Sequence, residues 1–262
     1  MNTVGIGVIA CGESYLKYSQ ILVEGINSRV KLDGSIRVYV ITDQHVVNVN
    51  NYSNLQIVYI NTPKLGWPEA ALLRYKLINK YMANENLTHI FYMDADLEVI
   101  DYIEETEFPL DDRIFCVAHP GYFNRGLIFN LVRKVYYPPW ETSARFSCAL
   151  SLFKRKVYVA SGFWGGPKEK ILTMCDELEK LTERDMRLGL YARSYDESYW
   201  NWWVANNKDV KVLSPIFLFA EQFPWLAHLI RPRILAVTKD QDTVAHKMEK
   251  DKEYKGEGRK RF

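Results

Sequence analysis

One stretch decides the predicted fold: His89-Ile90-Phe91-Tyr92-Met93-Asp94-Ala95-Asp96-Leu97-Glu98-Val99-Ile100. A short apolar run that ends at turn-forming residues is typical of a buried strand. This run ends in two carboxylates that are separated by one small residue. At the carboxyl end of a sheet strand, such a pair can hold a hard divalent cation and leave its far side open for phosphate oxygens. The stretch therefore indicates a site for a ligand such as a sugar nucleotide.

The segments before this stretch alternate between strand and helix patterns. Strands are predicted at residues 4–10 and 36–42, and apolar residues recur at helical spacing between them. This order is that of a βαβ unit, whose two strands pair in parallel. A third strand is predicted at 55–60, followed by a helix that begins near Trp67-Pro68, with proline in its first turn.

The second half of the chain continues the alternation. Further strands are predicted at 114–118 and 157–160, with shorter ones at 210–213 and 216–220, and helices at 167–184 and 195–206. Weak periodicity and a Pro-Pro pair predict irregular structure over 122–156. We therefore expect an α/β fold, with a Rossmann-like, mostly parallel sheet and flanking helices, in one catalytic domain at 1–246.

The composition is ordinary for a globular protein. The chain has 262 residues, of which 48% are hydrophobic and 25% charged, enough for one large domain or two joined halves. A net charge of +2 gives no general attraction to nucleic acid. The four cysteines lack metal-type spacing, which is typical of a reducing compartment.

The two ends of the chain carry separate expectations. The first residues lack the basic and apolar regions of a signal peptide, and no apolar run approaches the roughly 20 residues that span a bilayer. We expect a cytoplasmic protein without a membrane anchor. Residues 247–262 hold seven basic and four acidic residues and predict a flexible polar tail, with a role at a membrane surface or an anionic partner as the alternative.

An Asp-x-Asp pattern also occurs in polar segments that have no metal site. Asp240-Gln241-Asp242 repeats the same pattern in a polar context, so the pattern alone is weak evidence of a metal site. The apolar run before Asp94 distinguishes the first copy. Two carboxylates beside a buried strand end cost free energy unless a cation or hydrogen-bond donors compensate.

Two further motifs also have competing explanations. The run Ser161-Gly162-Phe163-Trp164-Gly165-Gly166 has glycines that let backbone approach a ligand, or it forms a tight strand-to-helix turn with both aromatics in the core. Ser194 three residues before Glu197 is a capping-box signature. The functional alternative places Asp196 and Glu197 at a helix N-terminus facing a cleft, where one binds sugar hydroxyls and the other faces an anomeric carbon.

Taken in order, these stretches resemble the family 6 retaining glycosyltransferases, which include the histo-blood-group A and B transferases, the α1→3 galactosyltransferase and bacterial and phage relatives. The resemblance spans residues 9–239. The motifs that carry it are Trp67 with Arg74, Asp94-Ala95-Asp96, His119-Pro120-Gly121, Gly162-Phe163-Trp164-Gly165-Gly166, Asp196-Glu197-Ser198 and Lys211-Val212-Leu213-Ser214-Pro215. Mammalian members have an N-terminal membrane anchor, whereas this sequence begins at the catalytic domain, as we expect of a bacterial or phage member.

The resemblance implies a GT-A fold and a role for each matching residue. Asp94 and Asp96 would hold Mn²⁺, or Mg²⁺, against the diphosphate of a UDP-sugar. Glu197 would act as nucleophile or stabilise an oxocarbenium-like transition state. The other implied donor-binding residues are Ile9, Ala10 and Cys11 along the uridine, Tyr15 stacked on uracil, Arg74, Ala160, Gly162 and Asp196 near the donor sugar, and Lys239 over the diphosphate. The implied acceptor-binding residues are His119, Trp164 and Glu197.

Departures from the family pattern bear on specificity. Gly162 leaves room for an N-acetyl group, which favours UDP-GalNAc over UDP-Gal. Ser194 and Tyr195 stand where mammalian members often have Trp and His, so the identity of the acceptor stays open. The sequence also leaves the oligomeric state open. Many bacterial relatives carry Asn-x-Asn and work without metal, whereas this chain keeps both aspartates and is predicted to need one.

We therefore expect a retaining, Mn²⁺-dependent transfer of GalNAc or Gal to a galactose-containing oligosaccharide, forming an α1→3 linkage. Two other classes remain open at this point. One is a sugar-binding protein that has lost catalysis on the same fold. The other is a metal-dependent nucleotidyltransferase or phosphohydrolase that uses the same aspartates.

Overall fold

The computed structural model describes residues 2–46, 52–226, 228 and 230–239. Its strands are β1 (Asn2–Ile9), β2 (Gly34–Thr42), β3 (Leu55–Asn61), β4 (His89–Met93), β5 (Leu97–Val99), β6 (Ile114–Ala118), β7 (Val159–Pro167), β8 (Val210–Leu213), β9 (Phe219–Ala220) and β10 (Ile234–Ala236). Its helices are α1 (Glu13–Arg29), α2 (Glu69–Leu72), α3 (Arg74–Met82), α4 (Leu127–Val135), α5 (Lys168–Arg187) and α6 (Asp196–Asn206). The predicted polar tail and the second Asp-x-Asp copy lie outside the described residues.

Four parallel strands form one half of the central sheet, whose order is β3-β2-β1-β4-β7-β6-β8. β1 pairs in parallel with β2, and β2 pairs in parallel with β3. Since α1 connects β1 to β2, the predicted βαβ unit is confirmed. β4 joins the other side of β1, also in parallel, so the carboxyl ends of β1 and β4 meet at one edge of the sheet.

Residues 161–166, for which the sequence allowed a strand-to-helix turn, form part of the strand that pairs with β4. Residues 161–166 lie inside β7, which runs antiparallel to both β4 and β6. A Cβ on Gly165 would lie 2.3 Å from a ring carbon of Phe91, and one on Gly166 would lie 2.9 Å from the carbonyl oxygen of Arg113. These glycines therefore allow close packing around a central strand, and the strand-to-helix turn was wrong.

Both faces of the sheet are covered. In β4, Ile90 and Tyr92 belong to the core that packs under α2, α3, α5 and α6, whereas Phe91 and Met93 belong to the core that packs under α1. This alternation is the ordinary period of a strand, and every residue of β4 is buried. The predicted α/β class, with a mostly parallel sheet between flanking helices, is confirmed.

Two helix predictions need correction. The helix expected from Trp67-Pro68 is divided at Leu73 into α2 and α3. Residues 122–156 were predicted to be irregular, but they contain α4. The Pro-Pro pair and the weak periodicity of the segment as a whole concealed a helix of only nine residues, none of which, all of them described, is buried.

A second, three-stranded sheet closes over the end of β4. β5 follows Asp96 directly and pairs antiparallel with β10, which pairs in parallel with β9. The backbone N–H of Val237 donates to the carbonyl oxygen of Asp96 at 2.8 Å. The small sheet thus brings the residues after β10 back to the aspartate pair. Within the described part of the chain, no helix combines the length and the apolar character that a membrane crossing requires.

Candidate active site

The site begins where β4 ends. The backbone N–H of Asp94 donates to the carbonyl oxygen of Gly162 at 2.8 Å, which ties the end of β4 to β7. The hydroxyl of Tyr92 donates to Oδ1 of Asp94 at 2.7 Å. Because successive strand residues point to opposite faces, Tyr92 and Asp94 lie on the same side of the sheet. The chain therefore orients this carboxylate from both the strand and its neighbour.

Arg74 joins the two acidic parts of the site. Its guanidinium is buried and lies 3.3 Å from Oδ1 of Asp94 and 3.1 Å from Oδ2 of Asp196. It also donates to the carbonyl oxygen of Ser161 at 2.9 Å and lies 4.5 Å from the ring centroid of Tyr92. Burial alone would lower the pKa of Arg74, but the charge of Asp196, with smaller contributions from Tyr92 and Asp94, raises it. The guanidinium therefore stays positively charged between two carboxylates.

Asp196 and Glu197 begin α6, directly after a strained residue. Tyr195 is buried and has a φ of 48° with a ψ of −124°, a backbone conformation that non-glycine residues rarely adopt. Its ring meets that of Trp67 edge-on, with 5.0 Å between the centroids. The strained residue turns the chain so that both carboxylates at the start of α6 face β7 and Arg74.

The side chain of Glu197 is held by β7 and the residue before it. Its Oε1 accepts from the hydroxyl of Tyr158 at 2.5 Å, and its Oε2 accepts from the backbone N–H of Ser161 at 3.4 Å. Burial raises the pKa of Glu197 to about 7, although the hydrogen bond from Tyr158 opposes this rise. Burial likewise raises the pKa of Asp196 to about 6, against the lowering effect of Arg74. Both carboxyl groups therefore exchange protons near neutral pH, as is common at catalytic sites.

This arrangement excludes the capping-box explanation of Glu197. In the described residues around the start of α6, no side chain caps the helix. The backbone N–H of Ser194 donates to Oγ of Ser198 at 3.0 Å and not to the carboxylate of Glu197. The side chain of Glu197 therefore contacts Tyr158 and the backbone of β7 and does not cap α6.

Asp96 lies on the other side of the aspartate pair. It is 7% exposed, and its carboxylate forms a direct ion pair with the ammonium group of Lys239, which follows β10. The sequence placed both residues at the diphosphate by resemblance alone. The structure brings them together through the pairing of β5 with β10.

Gly162 is constrained by its neighbours. A Cβ at this position would lie 2.9 Å from Oδ2 of Asp94 and 2.9 Å from Cδ1 of Leu218. A larger residue would push against the aspartate, so the glycine keeps space next to Oδ2. Ala160, two residues earlier in β7, is buried, and its carbonyl oxygen accepts from Nε1 of Trp200 at 3.1 Å.

The residues expected along the uridine lie at the neighbouring strand end. Ile9 and Ala10 are buried at the end of β1, and Cys11 is partly exposed beyond them. The N–H of Gly12 donates to Oδ1 of Asp43 at 2.8 Å, which fixes the turn into α1. Tyr15 lies in the first turn of that helix. Since β1 and β4 are parallel neighbours, this segment lies at the same sheet edge as Asp94.

The two predicted acceptor residues beside Glu197 have different outcomes. His119 lies in an aromatic cluster whose centroid distances are 5.3 Å to Tyr122, 5.4 Å to Tyr158 and 5.8 Å to Phe223. Burial lowers its pKa to about 4, so its ring is neutral at physiological pH. Trp164, in contrast, is 0% exposed and packs in the core between aromatic rings. The acceptor-binding role predicted for Trp164 was wrong, because its side chain has no surface to offer.

Sequence reasoning missed two tyrosines that define the site. Tyr92 could have been found, because it stands two residues before Asp94 in a strand and must share its face. Tyr158 carries no comparable signal, since it precedes Glu197 by 39 positions and meets it only through the fold. Asn201 was missed as well: its amide bonds both backbone groups of Val159, at 2.9 and 2.8 Å, and aligns α6 with β7.

The aspartate pair fits a hard divalent cation. Carboxylate oxygens are preferred ligands of Mn²⁺ and Mg²⁺, and Oδ2 of Asp94 faces the space that a side chain at Gly162 would fill. The described residues contain no group of three or more His, Cys, Asp and Glu side chains that could hold a metal alone. Asp94 and Asp96 would therefore supply part of the coordination, with donor phosphate oxygens and water completing it.

Comparison with known proteins places these residues in a defined family. The model of glycosyltransferase family 6 matches residues 1–246. The O-antigen biosynthesis glycosyltransferase WbnI of Escherichia coli is 28% identical over 191 residues, which cover 71% of this chain and 75% of that protein. Histo-blood group ABO system transferase 2 of Rattus norvegicus is 21% identical over 93% of this chain and 71% of its own length. Globoside alpha-1,3-N-acetylgalactosaminyltransferase 1 of Gallus gallus is 21% identical over 92% and 69%, respectively.

The fold agrees with this match. The seven-stranded, mostly parallel sheet with helices on both faces is consistent with a single GT-A-like domain. A glycosyltransferase takes a nucleotide-sugar donor and a carbohydrate acceptor, and the acidic site at the carboxyl end of β4 lies where ligands bind in open α/β sheets. The chain belongs to glycosyltransferase family 6.

Proposed function

We propose that this chain is a retaining, metal-dependent transferase that moves GalNAc or Gal from UDP to a galactose-containing acceptor in an α1→3 linkage. The observation that carries the proposal is one cluster at the end of β4. There the buried Arg74 bridges Asp94 and Asp196, and Glu197 stands next to Asp196 with a pKa raised to about 7. A decayed site would have no physical reason to retain buried carboxylates with such unfavourable desolvation.

The donor would lie across the edge shared by β1 and β4. Ile9, Ala10, Cys11 and Tyr15 would contact the uridine at the end of β1. Asp196 would accept hydrogen bonds from sugar hydroxyls, with Arg74 fixing its orientation at 3.1 Å. Lys239 would exchange its ion pair with Asp96 for the diphosphate, whose charge is larger.

Asp94 and Asp96 would hold Mn²⁺, or Mg²⁺, at the diphosphate. When bound, the metal would supply Lewis-acid stabilisation of the UDP leaving group. The chain prepares this end of the site in two ways: Tyr92 and Arg74 occupy Oδ1 of Asp94, and Gly162 leaves space beside Oδ2.

Glu197 would face the anomeric carbon and, as its carboxylate, stabilise or trap the positive charge that develops there. Because its pKa is about 7, transfer should rise with pH through neutrality as this group ionises. The neutral ring of His119, held in its aromatic cluster, would contact the acceptor sugar. The printed names of the WbnI, ABO and globoside relatives support carbohydrate acceptors.

The donor choice rests on Gly162 and on one relative. The Gallus gallus relative is named as an N-acetylgalactosaminyltransferase, which favours UDP-GalNAc over UDP-Gal. The absence of a side chain at Gly162 supports the same choice, because an N-acetyl group needs space beside β7.

A panel of UDP-sugars tests the proposal. The full chain is incubated with Mn²⁺, each UDP-sugar and lactose as acceptor, and UDP release is measured. We expect UDP-GalNAc, and next UDP-Gal, to be used, and the proton NMR coupling of the product to show an α linkage. Release of UMP or phosphate would favour the nucleotidyltransferase or phosphohydrolase class, and binding of donor with no UDP release would favour a sugar-binding protein.

A further inference from the structure

One segment of the chain carries a concentrated positive charge. Residues 122–157 contain seven Lys or Arg and a single acidic residue, Glu141, a net charge of +6 in a chain whose total is +2. Glu141 and Arg155 are both buried, at 4% and 9% exposed, so the six other basic residues give the surface of this segment a charge of +6. The carboxylate of Glu141 accepts backbone N–H groups of Thr142, Ser143 and Arg193, each at 3.0 Å.

The same segment exposes large apolar side chains. In α4, Leu127 is 85% exposed, Ile128 80% and Leu131 58%. Together with Val132 and Val135 they recur at the spacing of one helix face. That face points away from the protein, the reverse of an ordinary surface helix. One protein-facing contact of α4 comes from Arg133, which donates to the hydroxyl of Tyr122 at 2.7 Å.

A second apolar group extends this surface. Leu152 is 39% exposed, Phe153 88% and Val157 49%. The guanidinium of Arg155 joins this group to α4, because it donates to the carbonyl oxygen of Lys134 at 3.0 Å and to that of Leu150 at 2.9 Å. We call α4 and residues 152–157 together the basic apolar surface.

This surface has the composition of a membrane-binding helix. Exposed apolar patches on globular proteins mark interaction sites, and an apolar helix face flanked by Lys and Arg is typical of helices that lie in the lipid headgroup region. Each Lys or Arg near an anionic bilayer strengthens binding about fivefold. We propose that the basic apolar surface docks the enzyme on an anionic lipid membrane.

Charge argues against two other occupants. A second copy of the chain would place one segment of +6 against another. Residues 247–262 of the same chain carry a net charge of +3, so the basic apolar surface would repel them as well. An anionic surface complements both.

The basic apolar surface adjoins the acceptor side of the candidate active site. Tyr122, which accepts from Arg133, lies 4.9 Å from Tyr158 between ring centroids, and Tyr158 donates to Glu197. Docking through α4 would therefore hold the acceptor side close to the lipid. An acceptor attached to a membrane lipid would reach the site without leaving the bilayer.

Vesicle sedimentation of the full chain tests the proposal. We expect binding to vesicles that contain phosphatidylglycerol, weakening as salt rises, and at least about tenfold weaker binding to phosphatidylcholine alone. Phe153→Ser with Leu131→Ser should weaken binding about tenfold or more, since both lose apolar burial. Leu188→Ser, at a side chain 61% exposed on the end of α5, is the matched control and should bind like the parent.

A charge variant keeps the test independent of the apolar changes. Lys154→Gln with Lys156→Gln should weaken binding roughly thirtyfold, about fivefold per charge, whereas Lys64→Gln with Lys80→Gln should not. UDP release with lactose, a water-soluble acceptor, should be unchanged in all four variants. The proposal would be overturned if both charge pairs lost vesicle binding equally or if the parent bound both vesicle types equally. It would also be overturned if the parent did not bind vesicles and the Phe153/Leu131 variant changed the oligomeric state in light scattering.

Discussion

At the scale of single residues, the chemistry depends on the hydrogen bonds and the pKa of Glu197. Its carboxyl group is partly buried, accepts from Tyr158 and from the N–H of Ser161, and has a pKa raised to about 7. A group in this state is half ionised at neutral pH and can act on a developing sugar cation without first losing a large solvent shell.

Replacing Glu197 with Gln separates catalysis from folding. We expect the transfer rate to fall about a thousandfold, because the amide cannot supply the negative charge. At pH 8 the thermal midpoint should not fall, since Gln removes a charge that partial burial disfavours and the helix start loses no cap. Glu24→Gln, on the exposed side of α1, is the control and should leave both values unchanged; a normal rate with a lower midpoint in Glu197→Gln would contradict this role.

The pH dependence of stability has a defined sign. Because the folded pKa of Glu197 is above its ordinary value of 4.5, the folded state binds the extra proton between pH 4.5 and about 7. The stabilisation that this proton supplies is present below pH 4.5 and is lost as pH rises to 7. Urea unfolding should therefore show a steeper decline over this range for the parent than for Glu197→Gln.

Tyr158→Phe should shift the pH–rate profile. The change removes the hydrogen bond that lowers the pKa of Glu197, so the acidic limb of the rate profile should move upward by about one pH unit. Tyr136→Phe, at a ring 75% exposed, is the matched control and should leave the limb in place. An unshifted limb in Tyr158→Phe would mean that another group controls it.

At this scale the sequence indicated the acidic residues but not what holds them. Asp94, Asp196 and Glu197 stand in recognisable local patterns. Tyr158 and Asn201 do not, because their partners lie 39 and 42 positions away and only tertiary packing brings them together. Trp164 was assigned to the acceptor because a motif shows which residues recur and not which face of a strand they occupy.

At the scale of elements, Arg74 at the start of α3 connects three parts of the fold. It contacts Asp94 after β4, the carbonyl oxygen of Ser161 in β7 and Asp196 at the start of α6. Elements that are far apart in sequence therefore share one buried cation, and the site cannot form unless all three are in place.

Removing this cation should destabilise the protein strongly. Arg74→Ala leaves the buried carboxylate of Asp196 without its cation and removes one partner of the partly exposed Asp94, and we expect the free energy of unfolding to fall by about 3–5 kcal/mol. Lys80→Ala, at an exposed position on the same helix, should change it by less than about 0.5 kcal/mol. Urea unfolding measures both; an Arg74→Ala variant as stable as Lys80→Ala would show that the bridge is dispensable for folding.

The two elements that the sequence analysis misjudged have different causes. Residues 161–166 looked like a turn because glycine usually marks turns, yet here glycines admit the ring of Phe91 and the backbone near Arg113 beside a central strand. Helix α4 was overlooked because its nine residues lie in a segment whose periodicity is weak overall and which contains a Pro-Pro pair. At residues 161–166 the neighbouring elements, and not the local sequence, decide the structure.

At the scale of the whole molecule, the order of strands and helices was predictable and the closure of the site was not. Apolar runs and their connections fix a parallel sheet, since βαβ units have few alternatives. The small sheet that carries Lys239 back to Asp96 needs strands of only three and two residues. Such strands are too short to give a periodic signal, so only family resemblance placed Lys239 and Asp96 at the same part of the site, and their ion pair was not predicted.

The metal-dependent transfer of a sugar at this closed site is the central claim, and the rate of UDP release tests it most directly. The measurement compares the parent chain, Asp96→Asn and the matched control Asp112→Asn, each with Mn²⁺ or with EDTA, using the preferred donor and acceptor. Asp112 is a suitable control because its side chain is 89% exposed and pairs only at the surface with Lys170. We predict that Mn²⁺ stimulates the parent and Asp112→Asn equally and that Asp96→Asn loses at least about a hundredfold in rate. Undiminished UDP release by the parent in EDTA, or by Asp96→Asn in Mn²⁺, would contradict it.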